Sequence, residues 1–165
     1  MPQEGNVQVV VPTVSVEAGT AKGFVVELGA KGEAVALLGL HVGIEEFLPS
    51  GEFVVFVALS SNPGHLLTPP ATSAARAGDK ALYGATLLTG REVLDTSGGR
   101  TYTIPSISTP LYGLIRPRRQ VLIVFFVNPG VLPKIRVEIY YKPLSLGKIE
   151  LDALNLKYGK YRRGA

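Results

Sequence analysis

Hydrophobic and polar positions alternate most regularly over Lys134–Lys142, KIRVEIYYK. Ile135, Val137, Ile139 and Tyr141 fall on one face; Lys134, Arg136, Glu138, Tyr140 and Lys142 fall on the other. Period two at every position predicts a strand with one buried and one wet face. Phe53–Leu59 (FVVFVAL) and Val121–Val127 (VLIVFFV) do not alternate. They are rich in β-branched and aromatic residues and bounded by turn residues, the pattern of strands covered on both faces. The second cover must come from another element or from another subunit, a first hint of assembly. Near the start, Val7, Val9 and Val11 alternate, and after Pro12 the apolar phase moves to Val14 and Val16. A phase slip beside a proline predicts a bulge or bend, often on an edge strand. Gly23–Leu28, Ala34–Val42, Ala81–Thr89 and Arg100–Ile104 read as further strands, and Lys31-Gly32 and Ser50-Gly51 as hairpin turns. Eight or nine strands with no βαβ alternation predict an all-β chain, a sandwich or a barrel.

Two stretches break the pattern. Ser61–Lys80 and Thr103–Arg119 are Pro-bearing and read as long surface contact loops. Over Ser145–Tyr158 the period changes. Ile149, Ala153 and Leu156 form one helical stripe next to Leu154 and Tyr158, with Ser145 able to cap the start and Gly159 to end it. Glu150 and Asp152 come early and Lys157 late, as the helix dipole favours. A further strand is the competing reading, because Ile149 and Leu151 also alternate. The expected organisation is a β-domain over 1–145, then a short C-terminal helix and basic tail over 146–165.

Composition sharpens this. The chain has 165 residues, of which 46% are apolar and 18% charged, with no Cys. It is therefore globular, one domain in size, and without disulfides or thiolate chemistry. Its only Met is Met1, and Asn plus Gln number seven, a depletion expected of a protein from a hot environment. Met1–Asn6 carries Glu4 and no positive charge, so no secretory leader is expected there. No apolar run approaches the roughly 20 residues of a membrane-spanning helix. The net charge of +4 is uneven: residues 1–141 hold eleven basic and eleven acidic side chains, residues 142–165 six against two. A neutral body with a basic tail favours an anionic partner such as nucleic acid or lipid headgroups, or simply keeps the terminus soluble. The expected contacts are Arg116, Arg118 and Arg119, the densest cluster outside the tail, with Lys157, Lys160, Arg162 and Arg163. The competing role for Arg116–Arg119 is a solvated guard beside the aggregation-prone Val121–Val127.

Catalytic motifs are sparse. His41 and His65 are the only histidines and lie far apart in sequence, so no metal cluster is expected. His41 reads as a satisfied core or interface residue and His65 as exposed. Asp79, Asp95 and Asp152 are isolated, and Glu45-Glu46 would point to opposite strand faces. No nucleophile elbow or phosphate-binding glycine loop is present. The reading is a non-enzymatic chain with no cofactor, no metal and no small-molecule substrate. Two alternatives remain: a carbohydrate- or ligand-binding sandwich using Tyr83, Tyr102 or Tyr112 in place of the absent Trp, and a hydrolase with two carboxylates converging in three dimensions.

FVVFVALS (Phe53–Ser60), QVLIVFFVNPG (Gln120–Gly130), KIRVEIYYKPLSL (Lys134–Leu146) and LKYGKYRR (Leu156–Arg163) carry a resemblance. With the eight-strand pattern, long loops and basic tail, the chain resembles single-jelly-roll viral capsid proteins. It is most similar to the smaller major capsid protein of icosahedral, internal-membrane-containing viruses of Thermus. The resemblance implies one upright jelly roll in a virion, self-association, and a partnership with a larger capsid protein over a lipid membrane. It supplies no catalytic residues.

Overall fold

A computed structural model of the protein describes residues 3–14, 21–46, 52–67, 69, 82–94, 100–102, 106–127 and 134–159. The strands are β1 (Gln3–Glu4), β2 (Gln8–Val10), β3 (Lys22–Glu27), β4 (Ala34–Glu46), β5 (Glu52–Ser60), β6 (Leu82–Leu94), β7 (Arg100–Tyr102), β8 (Ser106–Pro117), β9 (Arg119–Val127) and β10 (Lys134–Ser145), followed by helix α1 (Lys148–Gly159). They form two antiparallel sheets. In the first, β10 lies between β4 and the two short segments β1 and β2, and β8 follows β4; the second runs β3-β9-β5-β6-β7. The fold is all-β, sandwich-like, with one short C-terminal helix.

One apolar core joins the sheets. Val35, Leu37, Leu40 and Val42 of β4 and Val137, Ile139 and Tyr141 of β10 meet Val55, Val57 and Leu59 of β5 and Leu122 and Val124 of β9. The alternation read in β10 holds: Ile135, Val137, Ile139 and Tyr141 are buried, and Arg136 is exposed. Each fully buried aliphatic side chain contributes about 1.5–3 kcal/mol of transfer free energy.

The two non-alternating strands are covered on both faces, and the chain itself supplies the second cover. Phe56, Ala58, Val121 and Ile123 form a separate buried cluster on the outer face of the second sheet. A 3₁₀ turn, Pro63–Leu66, crosses part of that face beside β3 and β9. At Gly23 an added Cβ would lie 3.0 Å from the His65 carbonyl oxygen and from Leu66 Cα, so glycine is needed for this approach. Over Val55–Ser60 and Gln120–Val124 the apolar character of β5 and β9 is thus satisfied within one chain and does not by itself require a neighbour.

Several expectations are corrected. Thr103–Arg119, read as a loop, holds β8. Pro110 and Pro117 disguised it, but β8 pairs only with β4 among the described residues, and an edge strand tolerates proline. Around the register shift at Leu37/Gly39, Tyr112 and Gly113 take positive φ, 54° and 73°. This bulge hid the period. Lys31-Gly32 is a turn but not a hairpin, because β3 and β4 belong to different sheets; Gly29 and Gly32 supply its positive φ angles of 75° and 88°. β4 and β5 also belong to different sheets, so a hairpin through Ser50-Gly51, which lies outside the described residues, is ruled out as well. Val7, Val9 and Val11 do not face the core. They are 56%, 51% and 41% exposed, while Val10 and Val14 pack inward. Of the loop read over Ser61–Lys80, residues 68 and 70–80 lie outside the described residues, as does Val16.

Helix α1 begins later than expected. Ser145 closes β10, and the Leu151 N–H donates to the Gly147 carbonyl at 2.9 Å, so Gly147 and not Ser145 takes the first helical bond. The buried face also differs. Leu151 and Leu154, with Leu146, pack on Ala34, Ala36 and Leu144 on the outer side of the first sheet. The expected stripe points away: Ile149 is 85% and Leu156 69% exposed, and Ala153 is exposed too.

Candidate functional site

Helix α1, the 3₁₀ turn, the β3–β4 turn and the β8–β9 turn enclose a cleft of about 950 Å³ at one end of the sandwich. Val25, Val121 and Leu66 give it apolar lining. Lys31, Glu33, Arg118 and Arg119 line it from the strand turns, and Asp152, Leu156 and Tyr158 from the helix. Sequence order separates these groups by more than a hundred positions. They meet because α1 returns over β8 after the last strand.

Arg118 and Arg119 line the cleft already partnered. Arg119 donates to Glu27 Oε1 through Nε at 3.1 Å and Nη2 at 2.7 Å, and Arg118 Nη1 lies 3.6 Å from Glu27 Oε2. The hydrogen bond from Arg119 and the charge of Arg118 hold the Glu27 carboxyl below its usual range. Glu27 and Arg119 are solvent-exposed and Arg118 partly so, and the pairs are therefore weak and screened by salt.

Arg116 has a different part. Its guanidinium carbon lies 4.4 Å from the Tyr158 ring centroid and 5.1 Å from that of Tyr83. One Nη donates to the Ile115 carbonyl at 2.8 Å, and Nε is buried without a hydrogen-bond partner among the described residues. Held between a helix ring and a core ring, Arg116 ties α1 to the sandwich through cation–π contacts. Lys157 Nζ also lies 5.1 Å from the Tyr158 ring centroid. The structure therefore gathers the Arg116–Arg119 cluster and Lys157 at one end. Lys160, Arg162 and Arg163 lie outside the described residues; in the sequence they follow the last helical position by one to four places.

Next to the cleft runs a buried polar chain that the sequence did not disclose. The Ser61 hydroxyl donates to Gln120 Oε1 at 3.2 Å, and Gln120 Nε2 donates to the Pro117 carbonyl at 2.7 Å. Ser61 has one proton, so the 2.9 Å bond to Tyr83 has the tyrosine as donor. Burial raises the Tyr83 hydroxyl well above its ordinary value. The chain fixes the start of β9 against β6 and keeps every buried polar atom in it paired.

Ser60, Asn62 and His65 form a second cluster. Ser60 Oγ lies 2.6 Å from His65 Nδ1 and accepts the Asn62 N–H at 3.0 Å, while Asn62 Oδ1 accepts the Gly64 N–H at 2.9 Å. Ser60 is fully buried. Its oxygen closes the turn that carries the 3₁₀ segment, and a substrate cannot reach it from solvent. His65, expected to be exposed, is half-buried here, and the local Ser-Ser-Asn-Pro-Gly-His run was a readable turn signal. His41 sits half-exposed on the first sheet, with Nδ1 2.7 Å from Ser108 Oγ. No cluster of three or more metal-ligating side chains occurs among the described residues.

Tyr83, named above as an aromatic platform, is buried in the core and cannot serve; Tyr112 is 87% exposed, and the Tyr102 side chain lies outside the described residues. Asp79, Asp95 and the side chains of Glu45 and Glu46 also lie outside them, while Asp152 is exposed on α1. No described helix is long and apolar enough to cross a membrane. Compared with known proteins, the chain matches no protein-family model and no curated sequence.

Proposed function

We propose that the chain is a structural shell subunit: a virion capsid protein of single-jelly-roll type that packs with copies of itself and with a second capsid protein, and performs no catalysis. The observation that carries this reading is strand order. Taking β1 and β2 as two pieces of one strand, the sheets read 1/2-10-4-8 and 3-9-5-6, with β7 appended. Successive strands alternate between sheets except at β5 and β6, which pair directly in the second sheet, and the last lies beside the first; this order supports two interlocked Greek keys. Surface character supports it further. Val7, Val9, Val11, Tyr112, Ile149 and Leu156 are large apolar or aromatic side chains left in solvent. The end bearing Arg118, Arg119 and α1 is then the side that meets anionic lipid headgroups or the genome, through Lys157 and the basic tail. The depletion of Met, Cys, Asn and Gln supports a subunit adapted to heat.

Electron microscopy tests the reading. Concentrated protein, alone and mixed with anionic vesicles, is expected to form regular arrays or to coat the vesicles. Dispersed single particles beside bare vesicles would overturn it.

One feature favours a second reading, a ligand-binding sandwich module. The cleft offers Arg118, Arg119, Asp152 and Glu33 above an apolar lining. Glu33 Oε1 accepts the Ala30 N–H at 2.8 Å and so braces the turn. A glycan array with hits that disappear in Tyr158→Ala or Asp152→Asn would favour this reading over the shell subunit.

A further inference from the structure

We infer that β2 is a self-recognition edge, and that its occupant is β2 of a second copy, paired antiparallel about a two-fold axis through Val9. The inference deepens the shell-subunit reading and rests on it. Among the described residues β2 hydrogen-bonds on one side only, to β10, with Val9 opposite Tyr140. Its other side offers backbone donors and acceptors to a new strand.

The other sheet edges are guarded. β8 carries Pro110, Pro117 and the bulge at Tyr112-Gly113. β3 is bounded by Lys22 and Glu27, and the three-residue β7 begins with Arg100. Prolines, bulges, charges and shortness all oppose strand addition. The β2 segment has little of this. From Gly5 to Val16 the sequence holds no charge, and Pro12 falls after the apolar run.

The charge pattern suits a second copy as the partner. In a two-fold antiparallel pair the central residue meets its own copy, so any charge there would face a like charge. An uncharged strand meets that condition. With Val9 on the axis, Val7 of one copy stands opposite Val11 of the other, because positions equally far from the centre pair. All three valines point to the outer face, where they are about half exposed, so the two stripes merge into one apolar patch beside Tyr140 on each side. A pairing of about five residues per copy buries well under the ~1,200 Å² of a standard interface. The contact is therefore weak for an isolated pair and becomes firm when other contacts in an assembly hold it.

Sedimentation velocity from about 10 µM to about 1 mM, with hydrogen exchange at the same concentrations, tests it. Wild-type chain is expected to show a dimer whose fraction rises together with protection of the Val7–Val11 amides. Val9→Lys is expected to weaken the dimer at least ten-fold without changing monomer melting. Val7→Lys and Val11→Glu each weaken it, and the double variant, which makes two cross-strand ion pairs, recovers it. That recovery fixes the antiparallel register and excludes a general effect on folding. Association that persists in Val9→Lys with unprotected amides overturns the β2 edge but leaves the shell reading standing. A failure of the double variant to recover overturns the two-fold register. A monomer at every concentration overturns both.

Discussion

Ile123→Ala separates a face covered by the chain from one left for a partner. Ile123 lies in β9 on the outer face of the second sheet, fully buried, with Gly23 and Ala58 opposite it on the neighbouring strands. Removing three carbons loses about 2.4 kcal/mol at ~0.8 kcal/mol per buried carbon. The neighbours across the sheet are small, and incomplete closure of the cavity brings the expected cost to about 3 kcal/mol. At roughly 2–4 °C per kcal/mol for a chain of this size, melting falls by about 6–12 °C. Val25→Ala is the control. Val25 lies on the same outer face, where it lines the cleft and is 48% exposed, so its truncation costs under ~1 kcal/mol. Both are measured by guanidinium unfolding, followed by circular dichroism because the chain has no Trp. The runs are made at two protein concentrations. The reasoning fails if Ile123→Ala costs less than Val25→Ala, or if its cost grows with concentration, since either result would place the cover on another molecule.

Three further outcomes follow from the site. Tyr83 is held neutral in the folded state, so its contribution is constant below pH ~10 and is lost as pH rises beyond that, where the unfolded tyrosine ionises first. Tyr83→Phe should flatten this decline between pH 9 and 11 in guanidinium titrations; an unchanged slope contradicts the assignment. Arg116→Gln removes the stacking between Tyr83 and Tyr158 and should cost about 1–2 kcal/mol. Hydrogen exchange is expected to accelerate through Leu151–Tyr158 while the β10 amides stay protected; uniform acceleration would mean that Arg116 does not act on the helix in particular. Tyr112 holds φ of 54° with its ring in solvent, so Tyr112→Gly should change stability by no more than about 1 kcal/mol, in the direction of gain. A clear loss on thermal melting would show that the ring packs.

Much of the sheet structure was legible in the sequence because its signals are local. The β10 alternation and the double cover of β5 and β9 depend only on side-chain order along one strand. β8 was missed because two prolines and a bulge erase a period that an edge strand does not need. The phase of β2 was misread for a different reason: Val9 and Val10 are chemically identical, and only pairing with β10 decides which turns inward. The face of α1 met the same ambiguity, since Leu151 and Leu154 compete with Ile149 and Leu156 on opposite sides. Lys31-Gly32 has the residues of a hairpin turn, but whether the next strand stays in its sheet is set by long-range pairing. The contacts from Tyr83 through Ser61 to Gln120, and Arg116 against Tyr158, join residues 22 to 59 positions apart and have no local signature.

Static light scattering of the full chain over a rising concentration series tests most directly whether the exposed valine edge and helix stripe are subunit contacts. The mass is expected to climb from 17.6 kDa toward twice that value and beyond as concentration increases. A constant 17.6 kDa up to about 1 mM would contradict the account.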